Sequence, residues 1–227
     1  MSKDTHFMDW IAGHERKVLA GWIVVGAGIC TFAVVVQLVA NGWTQSFDES
    51  FIRAMRHADD PAQPIGPAWL DQIAREITAL GSYSALSLVV LLSTLFLTLA
   101  GEKVASRKLS GAALSGYAVM MLLKRIIQRP RPEIVAHLTD FHSTSFPSGH
   151  SMMSAVVYLT LAFQLLRIVK DVRLRATILF SAALLTTLVG VSRVFLGVHF
   201  PTDVLAGWTA GLVWSSLWLV VSNRKSL

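Results

Sequence analysis

The chain has 227 residues, 53% of them hydrophobic and only 15% charged, with a formal net charge of +6. A soluble domain carries about 25% charged residues, and here the apolar residues gather into runs too long and uncharged for one. The single cysteine, Cys30, lies inside such a run, which excludes an intramolecular disulfide and a thiolate zinc cluster. Its expected role is that of a small buried residue.

The first 17 residues are mostly polar, and the apolar run Val18–Ala40 that follows is longer than the core of a secretory signal. With no A-x-A site after it, the run reads as a retained first transmembrane helix. A helix needs about 20 apolar residues to cross the hydrocarbon core. Further spans are expected over Ile77–Ala100, Leu109–Leu123, Ser151–Ile168, Ala176–Phe195 and Val204–Val221. The third is short and carries Gly111, Ser115 and Gly116, small residues that let helices approach closely, as do Gly207 and Gly211 on the sixth. The fold class is therefore all-α, a polytopic membrane protein with six transmembrane helices, organised as a single domain over 1–227.

The longest loop, Asn41 to Glu76, contains Pro61, Pro64 and Pro67. Within it Trp69, Leu70 and Ile73 recur with Ile77 at helical spacing, which predicts an amphipathic helix at the interface. Trp43 would anchor the end of the first span, and Asp48, Glu49, Asp59 and Asp60 read as solvated loop carboxylates. Six spans place both termini on one side, together with 12 of the 20 lysines and arginines: Lys3, Arg16, Lys17, Lys103, Arg107, Lys108, Arg167, Lys170, Arg173, Arg175, Arg224 and Lys225. The other side holds Arg53, Arg56, Arg75, Lys124, Arg125, Arg129, Arg131 and Arg193. The positive-inside rule then puts both termini in the cytoplasm and accounts for the basic balance without nucleic acid. The expected location is a bacterial cytoplasmic (inner) membrane.

Three segments interrupt the apolar pattern, all at the outer ends of spans three to six: Lys124 to Pro132, Pro147 to His150, and Ser192 to Asp203. Ionisable groups near membrane depth are costly and mark functional sites. Lys124, Arg131 and Arg193 make a cationic cluster suited to a phosphoryl group, which an arginine fork can grip at two oxygens. Ser148 and Gly149 fall where the fourth span begins, and the free N–H groups of a helix start bind anions. His199 and Asp203 are spaced i, i+4, so the carboxylate can hold one ring nitrogen and leave the other as a nucleophile. His150 is then placed to protonate a leaving alkoxide and to activate water afterwards. Neither histidine-bearing segment supplies a compact metal-ligand set, and no metal or other cofactor is expected.

These segments resemble the tripartite signature of the type 2 phosphatidic acid phosphatase superfamily, K-x6-R-P, P-S-G-H and S-R-x5-H-x3-D, at every motif position and in order. The resemblance covers most of the chain from about Ile77 onward. It implies a six-helix lipid phosphatase with its active site at the outer (periplasmic) face. It implies His199 as the phosphorylated nucleophile, Asp203 as its orienting partner and His150 as the acid. Lys124, Arg131, Ser148, Gly149 and Arg193 bind the phosphate on this reading, with no metal. The expected partners are a lipid phosphate substrate and membrane lipids. Candidate substrates are phosphatidylglycerol phosphate, phosphatidic acid, diacylglycerol pyrophosphate and undecaprenyl pyrophosphate.

Two other readings share these residues: a transferase passing the phosphoryl group to another hydroxyl, and a non-catalytic lipid-phosphate binder or transporter. Arg125 and Arg129 read as head-group anchors. His6, His14, His57, His137 and His142 read as tail or loop residues. Trp22, Trp208, Trp214 and Trp218 read as helix-packing or interface residues.

Overall fold

The computed structural model describes residues 3–139 and 143–221, with side chains from residue 18 onward. The expectations for Lys3, His6, His14, Arg16, Lys17, His142, Arg224 and Lys225 fall outside the described side chains. The described residues form eight helices in chain order: α1 Lys3–Ala40, α2 Gln45–Arg53, α3 Ala68–Ala79, α4 Tyr83–Leu99, α5 Lys103–Ile127, α6 Gly149–Ile168, α7 Val172–Phe195 and α8 Pro201–Val221. Among the described residues the only β pairing is an isolated bridge between Arg56 and Pro64. The protein is all-α, and α1, α5, α6, α7 and α8 each hold a stretch long and apolar enough to cross a membrane.

The second expected span differs from its expected form. Residues Ile77–Ala100 are not one helix: α3 and α4 meet at a 47° bend. The backbone N–H groups of Leu80, Gly81 and Ser82 close tight turns onto the carbonyls of Ile77, Thr78 and Ala79. The Ser82 hydroxyl then accepts from the Ala85 N–H at 3.2 Å and starts α4 afresh, as serine does at a helix N-cap. The amphipathic helix expected around Trp69 is α3 itself, with Trp69 and Ile73 exposed while Ala74 and Thr78 are buried. The third span reaches well beyond Leu109–Leu123, because α5 starts at Lys103 and runs 25 residues.

Close packing follows the small residues. On α8, a Cβ at Gly207 would lie 2.7 Å from the Ser148 carbonyl oxygen, and one at Gly211 would lie 2.6 Å from that of Met152. Only glycine lets α8 approach the α6 backbone so closely, and that approach brings the start of α8 beside the start of α6. The Trp214 and Trp218 indoles of α8 both donate to the Ser115 hydroxyl of α5, at 3.1 and 3.2 Å. α6 is the central helix, buried over much of its apolar length, whereas α1 is largely exposed. Leu88, Leu91, Leu92, Leu95 and Phe96 of α4 and Leu114 and Leu122 of α5 face outward, where lipid rather than water suits them. Cys30 is exposed rather than buried, because α1 is peripheral and offers one face to the surroundings.

Candidate active site

Antiparallel hairpins bring the end of α5, the start of α6, the end of α7 and the start of α8 to one end of the bundle. The three polar segments converge there although they span 80 residues of sequence. His199 lies in the short turn between α7 and α8 and is 1% exposed. Gly197, two residues earlier, adopts φ +75°. A Cβ there would fall 2.7 Å from Arg56 Nη2 and 3.1 Å from the Ala136 carbonyl oxygen, so glycine both permits the turn and fits the space.

The ring nitrogens of His199 meet different partners. Arg131 Nη1 lies 3.1 Å from Nε2 and also donates to the Val198 carbonyl at 2.6 Å. The Ser145 hydroxyl lies 3.3 Å from Nδ1, whereas Asp203 Oδ2 is 3.5 Å away. Asp203 thus stands beside the ring with Ser145 between them, its hydroxyl donating to Asp203 Oδ2 through a short hydrogen bond. Asp203 is fully buried; Oδ2 also accepts from the Phe200 N–H at 2.9 Å and Oδ1 from Arg129 at 2.7 Å.

Around the imidazole stand the cations. Burial first, and then the charges of Arg131, Arg193, Lys124 and His150, hold the His199 pKa well below its ordinary value, so the ring is neutral at pH 7. Lys124, 4% exposed, donates to the Thr144 carbonyl at 2.5 Å. Arg193, equally buried, donates from Nη1 to the Thr78 hydroxyl of α3 at 2.9 Å. Burial lowers the Arg131 pKa to about 10, opposed by Asp203 and Tyr83, which leaves it charged at neutral pH.

Ser148 is the residue before α6, but its hydroxyl makes no cap bond to that helix. It accepts from Ser151 Oγ at 2.9 Å, while its N–H donates to the Asp203 carbonyl at 3.0 Å. Gly149 opens α6 with Lys124 Cε and the Tyr83 hydroxyl near its missing Cβ. The first N–H groups of a helix have no partner within it and remain open to an anion. His150 packs against Gly81 and tilts over the Tyr83 ring at 6.2 Å between centroids.

Two expectations are corrected. Arg129 is not a head-group anchor: it is 9% exposed and bonds Asp203 Oδ1, the Thr202 hydroxyl and Asp48 Oδ2 at 2.7, 2.8 and 2.8 Å. Its guanidinium also lies 4.3 Å over the Phe200 ring. Asp48 is not a solvated loop carboxylate but is fully buried, accepting from the Thr202 N–H and hydroxyl at 3.1 and 2.6 Å. Nothing in sequence spacing ties Asp48 to Arg129, 81 positions away. Ser145 sits three residues before Ser148 and had no signal beyond that adjacency. Among the described residues no cluster of three or more His, Cys, Asp or Glu could hold a metal ion.

Residues 105–226 match the family model of the PAP2 superfamily. Phosphatidylglycerophosphatase B of Bacillus subtilis is 33% identical over 189 residues, covering 80% of this chain and 86% of the relative. Lipid A 1-phosphatase of Rhizobium johnstonii is 36% identical over 118 residues, 47% of this chain and 43% of that protein. Among solved structures, the transmembrane PAP2 type phosphatidylglycerolphosphate phosphatase from Bacillus subtilis superposes with a TM-score of 0.78 at 28% identity, covering 89% of this chain and 96% of that one. Family match, relatives and multi-pass fold agree: the chain belongs to the PAP2 superfamily and is a membrane lipid phosphatase.

Proposed function

We propose that the protein hydrolyses a phosphomonoester or pyrophosphate lipid through a phosphohistidine on His199, without a metal. The observation that carries this reading is a buried, neutral imidazole whose Nε2 faces Arg131, with Arg193, Lys124 and His150 close enough to shift its titration. Nε2 attacks phosphorus as the ester P–O bond breaks, and His150 gives its proton to the leaving oxygen. Water then attacks the phosphohistidine while His150 takes up a proton, which releases phosphate and restores His199. Lys124, Arg131 and Arg193, with the N–H groups at Gly149 and the Ser148 hydroxyl, neutralise the charge that spreads over the equatorial oxygens. Asp203 holds the position of the imidazole.

A lipid fits the surroundings. A groove of about 530 Å³ opens between α4, α5 and α6, lined by Leu86, Val90, Leu91, Leu114 and Val157, with Tyr83 joining it to the site. Acyl chains can lie there while the head group meets the cations. On the six-span topology read from the sequence, 12 lysines and arginines fall on the side of the termini and 8 on the other, which supports an outward-facing site and cytoplasmic termini. Similarity to phosphatidylglycerophosphatase B puts phosphatidylglycerol phosphate first among substrates, ahead of phosphatidic acid and undecaprenyl pyrophosphate.

The test is phosphate release from these lipids by detergent-solubilised protein with EDTA present, beside His199→Ala. Release by the parent protein and none by the variant is the expected result. Full activity in His199→Ala refutes the nucleophile, and stoichiometric lipid binding with no phosphate release points to a binder. Transfer of label to a lipid hydroxyl instead of water identifies a transferase.

A further inference from the structure

We infer that Ser145 is a positioning residue that couples His199 to Asp203, so that the carboxylate sets the imidazole through a serine hydroxyl rather than by direct contact. The inference rests on the reading of His199 as nucleophile. The direct Nδ1 to Oδ2 separation is 3.5 Å, longer than the 3.3 Å from Nδ1 to the Ser145 hydroxyl. The Ser145 hydroxyl is fully buried and lies within reach of both groups, 3.3 Å from Nδ1 and in a short hydrogen bond to Oδ2. Its place is held from two sides. The Ser145 N–H donates to the Arg129 carbonyl at 2.9 Å, and Phe146 next to it is fully buried against Val35 and Ala206.

The bridge has a direction. An ionised carboxylate only accepts, so the one proton of the serine hydroxyl points to Asp203 Oδ2. The serine oxygen is then free only to accept from the ring, which places the imidazole proton on Nδ1. A second contact requires the same tautomer independently. A guanidinium only donates, so Nε2, 3.1 Å from Arg131 Nη1, carries the lone pair. Both contacts leave Nε2 as the atom able to attack phosphorus. When its lone pair forms the P–N bond and the ester P–O bond breaks, the ring becomes cationic while its proton stays on Nδ1. Ser145 relays the carboxylate's stabilisation to that cation, and no proton moves along the chain. A contact of 3.3 Å tightens as positive charge develops on the ring.

The test uses the full chain in detergent. Ser145→Ala is expected to lower kcat about 10- to 100-fold, the range for a lost hydrogen bond to a charged group, with KM changed less than about threefold because no phosphate contact is removed. Activity retained within twofold in Ser145→Ala, while His199→Ala is inactive, overturns the bridge and leaves the nucleophile standing. Full activity in His199→Ala overturns the reading beneath it instead. A measurement independent of the alanine variant's folding is the imidazole 15N spectrum, with the His199 signals assigned by their loss in His199→Gln. At pH 7 the unaltered protein is expected to show Nδ1 protonated and Nε2 bare. A ring protonated at Nε2 overturns the inference whatever the variant does.

Discussion

Removing the Arg129 side chain leaves two fully buried carboxylates without their common partner. The guanidinium bonds Asp203 and Asp48 at 2.7 and 2.8 Å and Thr202 at 2.8 Å. Arg129→Ala strips all three bonds at once and leaves the Asp48 and Asp203 charges facing the same void. Breaking a buried pair by deleting one partner costs about 3 to 5 kcal/mol. For a chain of this size each kcal/mol moves the melting temperature by about 2 to 4 °C, so a fall of about 6 to 20 °C is expected. Arg125, four positions away, is exposed, and Arg125→Ala is expected to stay within about 0.5 kcal/mol of the parent. The assay is thermal unfolding in detergent followed by tryptophan fluorescence, with both variants side by side. Asp48→Asn added to Arg129→Ala removes one of the two stranded charges and should recover part of the loss, a coupling that a double-mutant cycle reads directly. Equal melting temperatures for Arg129→Ala and Arg125→Ala refute the buried clamp.

Gly197→Ala places a Cβ 2.7 Å from Arg56 Nη2 at φ +75°; a loss of about 1 to 3 kcal/mol is expected, with kcat falling because His199 follows two residues on. Gly211→Ala puts a Cβ 2.6 Å from the Met152 carbonyl oxygen and should lower the melting temperature through the α6–α8 contact, which calorimetry checks. His199 has a pKa below its unfolded value of about 6.5. As pH falls below that value the unfolded state binds the extra proton and stability drops. His199→Gln should flatten that part of the stability profile, and an unchanged slope would show that the ring is not buried neutral.

Much of the fold and the candidate site is legible in the sequence because bilayer thickness is a length rule. Any uncharged run of about 20 residues is a span, so five spans are read directly. The second, Ile77–Ala100, is read only in outline, because the break at Gly81 and Ser82 depends on a local cap that hydropathy averages away. The three polar segments stand out against an apolar background, and hairpin connectivity alone predicts that they return to one face. Tertiary structure decided what surrounds them. Arg125 and Arg129 look alike in sequence, yet only Arg129 turns inward, because Gln128 takes φ +48° after α5 and redirects the chain. Asp48 becomes buried because α2 packs on the start of α8, a pairing that no spacing encodes. The i, i+4 spacing of His199 and Asp203 places them side by side, but whether they touch depends on Ser145, brought between them from another hairpin. Spacing along one helix is a local property that sequence carries; the group standing between two side chains is set by packing across helices, which only the folded structure determines.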